Sequence, residues 1–263
     1  PAQSIHDQKS SGRCWMFSGF NVLRSNFAKA HGDSLKVELS HDYLFFYDQL
    51  EKANLMLQGV IDNAKKPIDD TRVQFFFKSP INDGGTFCGV ADLADKYGVV
   101  PMSIVPETYS AENTSRISTL GEPVKEFTYA FTDKNGKTVG TPKKYTPKEF
   151  FHEVVGDGIK GTFIMVMNDP RRPYHKTYEV EYDRHTYDGT NWKYLNLPMD
   201  EIAQLAIASL KDGRKMYSSY DVGKQYDRKR GLLDVNNYDY ASLFSTTFGM
   251  DKAQRISTYD SGS

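Results

Sequence analysis

Apolar residues recur near the start of the chain at alternating steps of four and three. Met16, Phe20, Leu23, Phe27 and Ala30 fall on one stripe, the spacing of an amphipathic helix. The residues just before it, Lys9, Ser10, Ser11 and Gly12, are turn formers with no apolar period. A helix is therefore predicted from about Cys14 to Ala30, stopping near Gly32, with Cys14 in its first turn. Ser40 reads as the N-cap of a second helix with Leu44, Tyr47, Leu50 and Leu55 pointing inward, broken by Lys65-Lys66-Pro67. A short third helical stretch carries Val73, Phe76 and Phe77 and ends at Pro80. After the turn Asn82-Asp83-Gly84-Gly85, a fourth helix carries Phe87, Val90, Ala91, Ala94 and Tyr97 and closes at Gly98.

Beyond Gly98 the pattern changes. Residues 108–120 are polar. Phe127, Tyr129 and Phe131 then alternate ahead of Asp133-Lys134-Asn135-Gly136, which predicts a β-hairpin over 126–139. Thr146-Pro147-Lys148-Glu149 is a capping box with proline at the first helical position, opening a helix through Val155. Strands are predicted over 162–167, 178–182 and 216–222. A helix over 200–210 carries Ile202, Leu205, Ala206 and Leu210 on one face. Helices first and strands later make an α+β chain, with no internal repeat or low-complexity tract.

Composition narrows the function classes. A chain of 263 residues with 39% hydrophobic and 25% charged residues can bury a sizeable core in one or two domains. A net charge of −1 supplies no basic field for nucleic acid or anionic membrane. The cluster Asp227-Arg228-Lys229-Arg230 reads as a solvated loop. No apolar run approaches a membrane span, no signal peptide is read, and a cytoplasmic location is expected. The six histidines are scattered without metal-ligand spacing, and glycine-rich phosphate loops are lacking, so neither a metal nor a cofactor is expected. His41-Asp42 and Asp183-Arg184-His185 read as surface or capping groups. Cys14 and Cys88 are the only cysteines. Both are expected to be reduced, with Cys88 a buried, small apolar residue.

Cys14 carries the candidate chemistry. In the first turn of a helix, unpaired N–H groups and the positive end of the dipole favour a thiolate, and the thiolate is the nucleophilic form. Gln8 lies six residues earlier, across a glycine-containing loop that can fold its amide back beside the sulfur. There the amide and the Cys14 N–H would stabilise an oxyanion. Spacing alone leaves open that Cys14 is a buried free thiol and that Gly84-Gly85 is a plain turn.

The string Asp7-Gln8-Lys9-Ser10-Ser11-Gly12-Arg13-Cys14-Trp15-Met16-Phe17-Ser18-Gly19 resembles the papain-like cysteine peptidases, and among them the bleomycin hydrolase and bacterial aminopeptidase C branch. Residues 38–48, Ile81-Asn82-Asp83-Gly84-Gly85, Lys96-Tyr97-Gly98-Val99-Val100-Pro101, Pro106-Glu107-Thr108-Tyr109 and Asp221-Val222-Gly223-Lys224 agree with that branch in order. The resemblance implies a papain-like fold: a helical lobe over 1–110 with the nucleophile, an insertion and hairpin region over 111–212, and the start of a β-rich lobe over 213–263. It implies Cys14 as nucleophile, Gln8 as oxyanion donor, and Gly84 and Gly85 hydrogen-bonding the substrate main chain. It further implies removal of N-terminal residues from short peptides and assembly as a hexamer. Two other classes stand beside it, a non-catalytic papain-like scaffold for binding or assembly and, more weakly, nucleic-acid binding.

The resemblance also exposes gaps. None of the six histidines fits the family's base, which is expected on a segment following a stretch like residues 256–263. A histidine-bearing segment is therefore expected past Ser263. A longer helical insert is expected to be lacking at Leu120-Gly121, and residues are expected to be missing before Pro1.

Overall fold

The computed structural model of the chain describes residues 6–78, 81–114, 123–156, 158–219, 226–234, 237, 239–245, 249 and 251–258. The first helix, α1, spans Cys14–Ala30, as its apolar stripe predicts. β1 (Leu35–Lys36) follows, then α2 (His41–Asp62), whose N-cap Ser40 accepts a hydrogen bond from the Tyr43 N–H. α3 (Thr71–Lys78) and α4 (Phe87–Tyr97) complete the first run of long helices. α4 ends at Gly98, whose φ of 77° lies in the left-handed region that glycine adopts without strain.

A one-turn helix, α5 (Tyr109–Glu112), is capped by Thr108 within the stretch that sequence left without an element. The predicted hairpin forms as β2 (Phe127–Asp133) and β3 (Thr138–Tyr145), and β1 adds to the β2 edge to make an antiparallel sheet in the order β1-β2-β3. α6 (Pro147–Val155) has the complete capping box of Thr146 and Glu149. A second sheet, in the order β4-β6-β5, combines β4 (Val166–Met167), β5 (Lys176–Glu179) and β6 (Lys193–Asn196). α7 (Met199–Lys211), the hairpin of β7 (Tyr226–Asp227) and β8 (Leu232–Leu233), α8 (Tyr240–Phe244) and α9 (Lys252–Thr258) close the description.

The core lies where α1, α4 and α6 pack against one another, with α2 also packed on α4. Phe150 of α6 is fully buried, and the rings of Phe127, Tyr129, Phe131 and Tyr145 surround it. Phe131 also stacks on Phe27 of α1. Burying a side chain of this size contributes about 1.5–3 kcal/mol, so this cluster fastens the hairpin to the helical core. The junction between α4 and α6 is tight: the Val99 N–H donates to the Pro147 carbonyl at 3.1 Å.

Several expectations are corrected. Leu50 of α2 and Phe77 of α3 are exposed, although Leu44, Leu55, Val73 and Phe76 point inward as predicted. The strand expected over 162–167 shrinks to two residues, and the one expected over 178–182 starts and ends earlier, where its partner β6 sets the register. Residues 214–219 form no strand, and the rest of the strand expected over 216–222 lies outside the described residues. α7 has the expected helical period but buries no residue, and its Leu205 and Leu210 stay more than half exposed. Pro80 and the Leu120-Gly121 junction lie outside the described residues. Asp227 to Arg230 is an exposed turn in which the Asp227 carboxylate accepts from the Lys229 and Arg230 N–H groups. Among the described residues no helix is long and apolar enough to cross a membrane.

Candidate active site

Cys14 is exposed at the first position of α1. Its N–H, at the first position of the helix, has no acceptor within the helix. Its sulfur faces the Gly12 carbonyl at 3.9 Å, a long and weak contact. The loop before it is closed on itself. Gln8 Nε2 donates to the Ser11 carbonyl at 2.6 Å, and Ser11 Oγ donates back to the Gln8 carbonyl at 2.6 Å. Gln8 is half-buried in this closed turn, with one amide hydrogen used and a second left over.

Two anchors outside the loop fix it. Arg13 is fully buried; its Nε donates to Ser11 Oγ at 3.1 Å and its Nη2 to Glu107 Oε2 at 2.7 Å. Burial works against ionisation of Glu107, but His41 and Arg13 beside it hold its carboxyl below the usual range. The second anchor is Asp83. Its Oδ2 accepts from the Gly12 N–H at 2.5 Å and from Thr114 Oγ1, and its main-chain oxygen accepts from the Trp15 indole at 2.8 Å. Partial burial opposes the Asp83 charge; the hydrogen bonds from Thr114 and Gly12 outweigh it and lower the pKa. A Cβ on Gly12 would lie 2.3 Å from Asp83 Oδ1, so the approach needs glycine.

Asp83 thereby brings Gly84 and Gly85 to the loop that precedes Cys14. A Cβ on Gly85 would sit 2.7 Å from the Trp15 indole. Trp15 is buried, with the Lys52 ammonium 5.5 Å from its ring and the His185 imidazole 5.2 Å away. On the other flank stand Phe87, Phe163 and Tyr217, with ring separations of 4.8 and 5.7 Å from Phe87. Burial raises the Tyr217 phenol pKa, and the neighbouring Cys14 and Cys88 thiol groups add to the rise.

No imidazole hydrogen-bonds the Cys14 sulfur among the described residues. His6 pairs with Glu38 at 2.6 Å, His152 with the Gly156 carbonyl, His175 with Glu201, and His185 with Asp48 at 3.0 Å. His31 packs on Phe27, and His41 stacks on Phe17 at 3.7 Å while facing Glu107. The expectation that His41-Asp42 and Asp183-Arg184-His185 are surface or capping groups is corrected for His41, Asp42 and His185. The first two are buried, and His185 reaches into the helical core. Burial lowers the His41 pKa against the pull of Glu107, and burial raises that of Asp42.

Cys88 is free and buried, 3.2 Å from the Tyr194 hydroxyl, and burial pushes its thiol up to about 12. Asp83, Lys52 and the His185–Asp48 pair support the site through contacts that sequence reading did not anticipate. Only Lys52 left a local signal, four residues after Asp48 on one helix face.

The Peptidase C1-like family matches residues 1–120 and 117–263 of the chain. The two matched pieces meet where the sequence leads one to expect a missing insert. Aminopeptidase C of Lactobacillus delbrueckii subsp. lactis is 33% identical over 305 aligned positions, covering 98% of this chain and 67% of that protein. Bleomycin hydrolase of Homo sapiens is 33% identical, covering 96% of this chain and 66% of that protein. The crystal structure of pepw from Lactobacillus rhamnosis superposes with a TM-score of 0.86 at 31% identity, covering 96% of this chain and 66% of that one. The chain thus spans about two thirds of the length of these relatives.

Proposed function

We propose, from the fact that the chain belongs to the Peptidase C1-like family of cysteine-type peptidases and has the papain-like α+β fold, that it is a cysteine aminopeptidase acting on short peptides. The observation that carries this reading is the placement of Cys14, exposed at the first turn of α1 and preceded by a closed loop that holds Gln8. In this reading the Cys14 thiolate attacks the carbonyl carbon of the scissile bond. The oxyanion accepts hydrogen bonds from the Cys14 N–H and the second Gln8 amide hydrogen. The C–N bond breaks, the amine leaves with a proton, and water hydrolyses the thioester to restore the thiol. These protons need an acid-base group beside the sulfur, and none of the six imidazoles described above hydrogen-bonds the thiol.

Gly84 and Gly85 offer main-chain groups to the substrate backbone in this scheme. Removal of single N-terminal residues and hexameric assembly come from the family resemblance, and they belong, with the expected cytoplasmic location, to the same reading. Aminoacyl-coumarins with a free amine and their N-acetylated counterparts test it together. Hydrolysis of the free-amine series alone, abolished by Cys14→Ala, is expected. Equal cleavage of both series removes the aminopeptidase assignment, and undiminished hydrolysis by Cys14→Ala removes the nucleophile.

A further inference from the structure

The geometry points to Lys52 as a positioning residue that orients the Gly84-Gly85 peptide toward a peptide substrate. This inference rests on the reading of these glycines as main-chain recognition groups. Lys52 Nζ donates to the Gly84 carbonyl at 2.6 Å, the Asn82 carbonyl at 2.8 Å and Asp48 Oδ2 at 2.7 Å. An ammonium has three hydrogens, and all three are used, two of them on carbonyls that bracket Asp83. The side chain is nearly buried and its partner Asp48 completely so.

The consequence for Gly85 follows from peptide planarity. In a trans peptide the C=O of one residue and the N–H of the next point in opposite directions. With the Gly84 oxygen drawn onto Lys52, the Gly85 N–H is turned away from α2. No hydrogen bond within the described residues occupies that N–H or the Gly85 carbonyl, and Gly85 is exposed. An edge of free main-chain groups is what an extended peptide needs in order to pair. Trp15 and His185 press on the other side of Gly85, leaving no room for a Cβ.

The ammonium is itself fixed. Asp48 accepts from Lys52, from Gln49 at 2.9 Å and from the His185 ring at 3.0 Å. His185 comes from the segment between β5 and β6, so residues far apart in sequence converge under one turn. A neutral side chain in place of Lys52 frees the Gly84 carbonyl, and the Gly84-Gly85 peptide can then rotate out of its substrate-facing orientation.

Two thiol reagents separate this role from simple support of the fold. Iodoacetamide needs only the Cys14 thiolate. A peptidyl chloromethyl ketone also needs the recognition edge. For Lys52→Met in the full chain, the iodoacetamide rate is expected to stay within about two-fold of wild type. The chloromethyl ketone rate is expected to fall about ten-fold through weaker saturation, the size of one lost charge-assisted hydrogen bond. Thermal melting is followed alongside. Equal loss of both reactions with a lowered Tm assigns Lys52 to folding alone and overturns the proposal. Unchanged rates for both reagents overturn it as well. Wild-type protein that iodoacetamide fails to label at Cys14 overturns the nucleophile reading and this inference with it.

Discussion

The Gly12 N–H donates to the Asp83 carboxylate at 2.5 Å, across 71 residues of sequence. The same residue's main-chain oxygen accepts from the Trp15 indole. Asp83 therefore grips the chain on both sides of Cys14 and carries Gly84 and Gly85 next to it in sequence. The position of the Asn82–Gly85 turn beside the thiol thus uses both the side chain and the main chain of Asp83.

Gly12→Ala tests that grip by steric means. The added methyl would stand 2.3 Å from Asp83 Oδ1, and the loop has to move. Overpacking of this kind costs about 1–3 kcal/mol. A lower Tm together with a large fall in kcat is expected, and a variant of wild-type stability and rate contradicts the account of the loop.

The Asp83 charge gives a pH dependence of known sign. Its folded pKa lies below its ordinary value of 3.8, so its contribution to stability is complete above that value and is lost as pH falls through the folded pKa. Asp83→Asn should thus differ in Tm from wild type at pH 6–8, with the difference shrinking below about pH 4. Melting curves across that range check it; a constant difference down to pH 2 would show that the carboxylate charge plays no part.

The two thiols should separate cleanly. Cys88 is buried with its pKa near 12, so its thiolate is scarce at neutral pH, whereas Cys14 is open to solvent. Peptide mapping after brief treatment with iodoacetamide is expected to find label on Cys14, with Cys88 reacting only after unfolding. Label chiefly on Cys88 in the native protein refutes the assignment.

Much of this arrangement was legible in the sequence because it is local. The steps of four and three from Met16 to Ala30 define α1, and the caps at Ser40, Thr146 and Gly98 lie where their side chains or left-handed conformation are needed. What was not legible is tertiary. His41 looks like a polar residue at a helix start, yet its ring stacks on Phe17, which only the crossing of α1 and α2 reveals. His185 meets Asp48 from 137 residues away. The apolar face of α7 has the right period but none of its residues is buried, and period cannot say whether a face is covered. Gln8 and Cys14 were singled out by spacing and family pattern, whereas the contacts that Asp83 and Lys52 make to hold the Asn82–Gly85 turn left no mark in the sequence.

Arg13 supports the loop from beneath. It is buried against Glu107, and removing one partner of a buried pair costs about 3–5 kcal/mol because the other charge is left uncompensated. Arg13→Met is expected to lower stability by that order in urea unfolding. A loss below 1 kcal/mol on the same scale would show that Glu107 finds another partner.

Gln8→Ala addresses the oxyanion. A donor that acts in the transition state should lower kcat by about 10²–10³-fold with little change in KM. Unchanged kcat reduces Gln8 to a loop residue whose role ends at the Ser11 carbonyl.

The central claim is that Cys14 becomes acylated during turnover. Acid quenching of the reaction with an aminoacyl ester, followed by mass spectrometry of the peptide containing residue 14, tests it directly. The account expects a mass increase of one aminoacyl group on Cys14, absent from Cys14→Ala together with turnover. Turnover that persists in Cys14→Ala, or an adduct confined to Cys88, contradicts it.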